Sequence, residues 1–306
     1  MIFEVNPGES INEILNKMHS NDTLVLNDGL YNEKVEIWVE NITIKAKNPF
    51  RAIIVNKDYY HKIMPNNNEC NTFNTFTVYI GSNNVMLKDL HIKNAATPSN
   101  VFGQAVALHV DGSNFNCENC IIESAQDTLF IGPMPNDLCQ RYKNFYPDKR
   151  LNGNNTIQVY KNCKIIGDVD FIFGGGTALF DNCDIITVKR IDNMPTYIAA
   201  PSHDKNLEYG FLFYKCTLIG ENPTFLARPW RDFGTVAFIE CNMQNHILPE
   251  GFNKWNNSNR DKTARFFEYS PNCDTSKRVS WSKQLSQAES VEYYNNFLKY
   301  INNSLN

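Results

Sequence analysis

The sequence predicts an all-β fold in which residues 1–306 form one domain, a solenoid of parallel strands known as a parallel β-helix. Three observations predict it. Predicted strands are short and numerous, a four-residue pattern recurs along most of the chain, and helix signals are confined to the two termini. No stretch reads as a linker between domains.

The recurring pattern is a polar residue, then an apolar residue or Cys, then any residue, then an apolar one. Its instances begin at Asn41, Asp89, Asn119, Asn162, Asn182, Lys215 and Glu240. Counted from the second residue of each, the intervals are 48, 30, 43, 20, 33 and 25 residues. The shortest interval indicates a unit of about twenty residues, and longer ones indicate inserted loops. We expect the Cys and aliphatic residues to stack as an inner ladder. The alternative is an antiparallel β-sandwich with coincidental Asn-Cys pairs.

Both termini carry the signature of a capped helix. Ser10 and Glu13 form a capping box ahead of apolar residues at helical spacing, and Ser286 and Glu289 do the same near the C-terminus. Since the open ends of a solenoid need covering, we expect short helices over both ends. The longest insert, residues 132–155, is rich in Pro, Asn, Lys and Arg and is expected to be a surface loop.

The composition of the chain argues against some classes of binding partner. The formal net charge of -4 and the lack of a basic run argue against nucleic acid, and no stretch approaches the roughly 20 apolar residues of a membrane span. The nine cysteines are odd in number and lack zinc-ribbon spacing, so reduced and mostly buried thiols are expected. We expect a monomer. The first residues have no signal-peptide pattern, so a cytoplasmic location is expected, or secretion if a leader was trimmed.

Two aspartates stand at matching positions of the repeat. Asp127 follows Cys120 by seven residues, and Asp170 follows Cys163 by seven. If the cysteines are equivalent, the carboxylates lie on successive coils, about 4.8 Å apart in strand spacing. The pKa of one of the two carboxyl groups should then rise. That group could donate a proton, while the other group stays ionised and could attack as a nucleophile. The alternative is two unrelated surface aspartates whose matching offset is chance.

Three further side-chain types suit the same chemistry. The amides of Gln104 and Gln126 are neutral donors for an oxyanion, although either could be an ordinary surface amide. Arg228 offers a guanidinium for bidentate pairing with a carboxylate. Trp230 offers a flat apolar face of the kind on which sugar rings stack, although the Arg-Pro-Trp stretch could equally be a packed turn.

With these blocks in order, the chain resembles the pectin methylesterases, or pectinesterases, a family of carbohydrate esterases with a right-handed parallel β-helix. The five blocks that carry the resemblance are residues 29–33, 104–108, 126–129, 170–174 and 226–230. The resemblance implies hydrolysis of the C6 methyl esters of galacturonate units in pectin or methylated oligogalacturonides, releasing methanol. It implies no metal and no organic cofactor.

The resemblance also implies roles for individual residues. Asp170 matches the nucleophile, Asp127 the general acid/base, Gln126 and Gln104 the oxyanion donors, and Arg228 the arginine that orients the nucleophile. The positions that match substrate-binding residues are Thr72, Gln104, Phe130, Val169, Phe173, Arg228, Trp230 and Trp255.

The chain departs from the family pattern at Ala227, at Phe252, at residues 270–273 and in the 132–155 insert. We expect these departures to change the edges of the cleft rather than the chemistry. Two alternatives stay open: a polygalacturonate glycosidase or calcium-dependent lyase, and a non-catalytic carbohydrate-binding β-helix. Carboxylates about 5 Å apart would also suit a retaining glycosidase.

Overall fold

The computed structural model describes residues 1–65, 67–142, 155–192 and 194–304. Short strands make up most of the described chain. In chain order the strands are β1 (Ile2–Val5), β2 (Thr23–Leu26), β3 (Gly29–Asn32), β4 (Val35–Ile37), β5 (Ile42–Ala46), β6 (Ala52–Asn56), β7 (Val78–Ile80), β8 (Val85–Lys88), β9 (His91–Asn94), β10 (Leu108–Val110), β11 (Phe115–Glu118), β12 (Ile121–Glu123), β13 (Leu129–Ile131), β14 (Ile157–Lys161), β15 (Lys164–Gly167), β16 (Val169–Gly174), β17 (Thr177–Asp181), β18 (Asp184–Thr187), β19 (Thr196–Pro201), β20 (Phe211–Tyr214), β21 (Thr217–Gly220), β22 (Thr224–Ala227), β23 (Thr235–Ile239), β24 (Asn242–Met243), β25 (Arg265–Tyr269) and β26 (Lys283–Gln284). The helices are α1 (Ile11–Leu15), α2 (Ser99–Phe102), α3 (Asn136–Arg141) and α4 (Gln287–Ser304), with 3-10 turns at Thr72–Asn74 and Arg260–Lys262.

The strands form three sheets that wind around one core. The eleven-strand sheet has the order β1-β2-β5-β8-β11-β14-β17-β20-β23-β25-β26, the eight-strand sheet runs from β24 to β3, and the seven-strand sheet has the order β22-β19-β16-β13-β10-β7-β4. Neighbouring strands pair in parallel, for example β13 with β16 and β15 with β18. Each complete coil therefore contributes one strand to each sheet, which is the predicted parallel β-helix.

The repeat marks one corner of the coil. The polar first residue of six instances has a positive φ, between 52° and 62°, where the chain leaves the eleven-strand sheet; these residues are Asp89, Asn119, Asn162, Asn182, Lys215 and Glu240. Asn and Asp tolerate this left-handed conformation better than most residues. The side chains also bond between coils, since the amide of Asn119 donates to Asp89 at 2.6 Å and that of Asn182 to Asn162 at 2.7 Å.

The first instance of the pattern does not belong to the same set as the other six, because it lies at a different corner of the coil. Asn41 precedes a strand of the eleven-strand sheet, and Ile42 pairs with Val85 rather than matching Leu90. In that coil the left-handed residue at the corner before β6 is Phe50, whose φ is 62°. Both corners place a left-handed residue before an inward apolar one, so the four-residue pattern alone cannot distinguish them.

The predicted inner ladder is confirmed. The second residues of the remaining six instances are all 2% exposed or less; they are Leu90, Cys120, Cys163, Cys183, Cys216 and Cys241. Aromatic rings form a second stack within the core, with centroids 5.0 Å apart for Tyr160 and Phe180 and 4.5 Å for Phe180 and Phe213. Burying each such side chain contributes about 1.5–3 kcal/mol. All nine cysteines are free thiols.

The terminal helices form where the capping boxes predicted them, but they cover different surfaces. Ile11 and Leu15 of α1 join the main core beside Val5 and Val35, at the N-terminal end. By contrast, Phe297 and Ile301 of α4 pack with Leu179, Leu212 and Ala237 on the outer face of the eleven-strand sheet. The expectation that the C-terminal helix covers an open end needs correction, because the outward residues of that sheet are apolar and attract the apolar stripe of α4.

The long insert is only partly a loop. Residues 136–141 form α3, and residues 143–154 lie outside the described residues. Within the described part of the chain, no helix combines the length and the apolar character needed to span a membrane.

Candidate active site

Asp127 and Asp170 occupy equivalent positions on successive coils. In the pairing of β13 with β16, Leu129 lies opposite Ile172, the same 43-residue offset that separates the two aspartates. Both have a positive φ, 62° for Asp127 and 49° for Asp170, and the Asp127 N–H donates to the carbonyl of Val169 at 3.0 Å. The register against β19 shifts between Val169 and Ile172, so a bulge surrounds Asp170. Such bulges re-aim side chains, which here places the carboxylate on the outer face of the seven-strand sheet.

Arg228 binds the Asp170 carboxylate with both arms of its guanidinium. Nε donates to Oδ1 at 2.8 Å and Nη2 donates to Oδ2 at 2.6 Å. The guanidinium carbon lies 3.9 Å from the ring centroid of Tyr197 and 4.1 Å from that of Trp255, so it is sandwiched between two aromatic rings. Cation–π contacts of this kind add about 0.5–2 kcal/mol each. The ion pair is therefore held in one orientation.

The two carboxyl groups differ in their surroundings. Burial raises the pKa of Asp127 well above its ordinary value, and the negative charge of Asp170 raises it further. Burial also raises the pKa of Asp170, but the hydrogen bonds and charge of Arg228 oppose that rise. Two acids one strand apart resist ionising together. The site therefore favours a protonated Asp127 beside an ionised Asp170.

Gln104 and Gln126 lie side by side on adjacent coils. They form a short parallel bridge, and the N–H of Ala105 donates to the Gln126 carbonyl at 3.0 Å. The N–H of Tyr60 donates to the Gln104 carbonyl at 2.9 Å. Both side chains are partly exposed and line the same cleft as the aspartates. Their backbones are thus fixed while their amides remain available to a bound group.

The cleft above these residues has a volume of about 320 Å³. Nine of the eleven residues selected from the sequence line it: Thr72, Gln104, Gln126, Asp127, Asp170, Phe173, Arg228, Trp230 and Trp255. The other two do not. Phe130 is fully buried and packs against Phe173 beneath the cleft, with ring centroids 4.9 Å apart. Val169 is 9% exposed and contributes its carbonyl to Asp127 rather than a side chain to the lining.

Sequence reasoning missed one wall of the cleft. It is built by Phe73, by Leu138, Arg141 and Tyr142 in and after α3, and by Arg231. The Arg231 guanidinium bonds the Asp137 carboxylate at 3.1 Å, which ties α3 to the segment after β22. The position of the long insert was the only available signal, because inserts in a solenoid tend to gather on its binding face. The departure at Phe252 lies elsewhere, fully buried against Phe266 in the core.

Comparison with known proteins gives a consistent result. The family model described as Pectinesterase matches residues 6–303. "Probable pectinesterase 8" of Arabidopsis thaliana is 29% identical over 297 residues, covering 92% of this chain and 68% of the relative. Other Arabidopsis relatives named as probable pectinesterase/pectinesterase inhibitor are longer, and the chain spans 38% to 48% of their length.

Solved structures share the fold. The pectin methylesterase from carrot superposes with a TM-score of 0.79 at 22% identity, covering 94% of this chain and 89% of that one. The pectin methylesterase from Yersinia enterocolitica gives a TM-score of 0.74 at 26% identity, covering 93% of this chain and 96% of that one. The resemblance drawn from the five sequence blocks is confirmed over nearly the whole chain: this chain belongs to the pectinesterase family.

Proposed function

We propose that this member of the family is a pectin methylesterase in which Asp170 attacks the C6 methyl ester of galacturonate and forms an acyl-enzyme. The observation that carries the proposal is the asymmetry of the acid pair. Two charge-assisted hydrogen bonds from Arg228, at 2.8 and 2.6 Å, favour the ionised form of Asp170 and orient it. Asp127 is buried and forms no ion pair with any residue that the structure describes. A nucleophile and a proton donor therefore stand one strand apart.

In the first step, an oxygen of Asp170 attacks the ester carbonyl carbon. The carbonyl oxygen becomes an oxyanion, to which the amides of Gln104 and Gln126 donate. When the tetrahedral intermediate collapses, the bond to the methoxy oxygen breaks, and Asp127 gives its proton to that oxygen. Methanol leaves, and the galacturonyl group remains bound to Asp170 as an anhydride.

In the second step, Asp127 is a carboxylate and acts as a base. It takes a proton from water while the water oxygen attacks the carbonyl carbon of the acyl-enzyme. The bond to Asp170 then breaks, which returns Asp170 to its ionised form beside Arg228. Asp127 is protonated again, and the product is a free galacturonic acid that ionises in water. The cycle needs no serine nucleophile and no group that the chain does not supply.

Substrate recognition is assigned to the aromatic and cationic residues around the acids. Phe73, Trp230 and Trp255 line the cleft, and flat rings of this kind pack against sugar faces. Arg141 also lines the cleft and adds positive charge there, which suits a polyuronide that carries free carboxylates. The proposed substrates are methyl-esterified homogalacturonan and its oligomers.

Methanol release tests the proposal. Wild type, Asp170→Asn and the control Asp184→Asn, a partly exposed aspartate on the eight-strand sheet, are compared on methylated oligogalacturonides and on pectin. We expect release by wild type and by the control, and loss of release in Asp170→Asn. Reducing ends and unsaturated products are followed in the same samples, with and without a chelator. Chain cleavage without methanol would replace the esterase with a glycosidase or lyase, and binding without any product would indicate a carbohydrate-binding protein.

A further inference from the structure

A third buried carboxylate, Asp168, lies two residues before the proposed nucleophile and plays no part in the steps above. Its side chain points away from the cleft into the corner between the eight-strand and seven-strand sheets, where it is 3% exposed. A recess of about 320 Å³ at this corner is lined by Ser99, Glu123, Asp168 and Arg190. Burial raises the pKa of the Asp168 carboxyl group, while Ser99 and Arg190 oppose the rise. Burying a carboxylate there costs free energy unless the group is paired or hydrogen-bonded, so the contacts of Asp168 determine that cost.

The contacts of Asp168 join three separate coils. Its Oδ2 accepts a short hydrogen bond from the Ser99 hydroxyl, 69 residues away in the chain. Arg190 Nη1 lies 3.9 Å from the same oxygen and donates to the Ser99 oxygen at 3.3 Å. The carbonyl of Asp168 accepts from the N–H of Tyr197 at 3.0 Å, and its N–H donates to Ala125 at 2.9 Å. One residue thus bonds to the coils before and after its own.

Each of these partners is connected, along the chain or by direct contact, to a group of the candidate site. Ser99 begins α2, and after Gly103, whose φ is 71°, the same loop reaches Gln104. Tyr197 supports the Arg228 guanidinium with its ring, 3.9 Å from the centroid. Asp168 itself immediately precedes β16, so its backbone bonds fix the chain just ahead of the bulge that aims Asp170.

We propose that Asp168 is a positioning residue for the esterase reaction, holding the Gln104 loop through Ser99 and the start of the Asp170 strand through its backbone. The inference rests on the proposed function and adds a residue to it. Asp168 does not touch the substrate. It acts through Gln104 and Asp170.

Asp168 also acts on the general acid through its charge. The groups whose charges act on the Asp127 carboxyl group are Asp170, Arg228 and Asp168, and the two aspartates raise its pKa while the arginine lowers it. The second oxygen of Asp168 has no hydrogen-bond partner among the described residues, so its charge is only partly compensated. Asp168 therefore helps to keep Asp127 protonated until its proton is needed.

Three variants separate these effects. Asp168→Asn removes the charge and keeps the size, Ser99→Ala removes the link to the loop and keeps the charge, and Glu123→Gln is the control. Glu123 lies in the same recess but bonds His91 at 2.8 Å and Lys93 at 2.7 Å instead of the loop. The readouts are kcat, KM, the pH dependence of kcat, the melting temperature, and hydrogen exchange of residues 99–105.

For Asp168→Asn we expect kcat to fall about tenfold with little change in KM, less than the roughly 10²–10³-fold cost of removing an oxyanion donor. The activity lost at high pH, where Asp127 ionises, should be lost at a lower pH than in wild type, because a negative charge that raises the pKa of Asp127 has been removed. For Ser99→Ala we expect a similar fall in kcat, an unmoved alkaline limb and faster exchange in the loop. Glu123→Gln should match wild type in kcat, in KM, in the alkaline limb and in the exchange of the loop.

A wild-type kcat and pH profile in Asp168→Asn would overturn the proposal, and so would a lower melting temperature with kcat and pH profile unchanged. Unaltered exchange of the loop in both Asp168→Asn and Ser99→Ala would also overturn it. The exchange measurement does not depend on activity. If wild type released no methanol, the proposed function would fail, while exchange would still decide whether Asp168 holds the loop.

Discussion

Replacing Arg228 with lysine tests how far the reaction depends on the bidentate bond to Asp170. Lysine keeps the positive charge but can satisfy only one carboxylate oxygen well, and it leaves the flat space between Tyr197 and Trp255 poorly filled. A hydrogen bond to a charged group contributes about 1.5–3 kcal/mol. If one of the two bonds, at 2.8 and 2.6 Å, is lost, kcat/KM should fall roughly ten- to hundredfold.

The pH dependence gives the sharper readout. In the proposed mechanism Asp170 attacks as a carboxylate, so activity should be lost as the pH falls through the pKa of Asp170. Arg228 lowers that pKa against the effect of burial. A cation that bonds the carboxylate less well therefore lets the pKa of Asp170 rise, and the acidic limb of the kcat/KM profile should move to higher pH. Methanol release measured across pH in a constant-ionic-strength buffer follows both limbs at once.

Arg278→Lys is a matched control. Arg278 forms a second buried bidentate pair, with Glu268, at 2.7 and 3.0 Å, remote from the cleft. The two variants should lose comparable stability in urea unfolding, but only Arg228→Lys should move the acidic limb. The reasoning would be refuted if the limb stayed in place in Arg228→Lys, or if Arg278→Lys moved it equally.

Three further outcomes are expected. Asp127→Asn should lower kcat by roughly 10²–10⁴-fold, measured as methanol release, because the leaving methoxide loses its proton donor. Its melting temperature, measured by calorimetry, should be no lower than that of wild type, because a buried carboxyl group is removed. Trp255→Ala should raise KM and lower kcat because Arg228 loses a ring 4.1 Å away, whereas Trp255→Phe should retain most activity; an unchanged KM in the alanine variant would contradict the stacking role. Phe180→Ala should cost about 3–5 kcal/mol in urea unfolding, since its ring stacks between two others in the core; a loss below about 1 kcal/mol would show that the stack contributes little.

The sequence was informative wherever the solenoid repeats itself. The Asn-Cys pattern predicted the inner ladder and the matching offset of Asp127 and Asp170, because each coil must return an apolar residue to the same inward position. It failed at Asn41, where a second corner uses the same residue types. It also could not place α4, because a helix is drawn to whichever sheet face is apolar, and the outer face of the eleven-strand sheet is not visible in a four-residue pattern.

The fold class, the family and the acid pair could be predicted from the amino-acid sequence alone, since a repeat with ordered blocks places these residues through local geometry. The surroundings of the acid pair became apparent only in the folded structure. It placed Tyr197 and Trp255 on either side of Arg228, put Phe130 beneath the cleft, and brought α3 over it. These contacts join segments of unrelated spacing through loops whose lengths vary between coils. Their geometry follows from packing across the sheet, which no periodicity in the chain records.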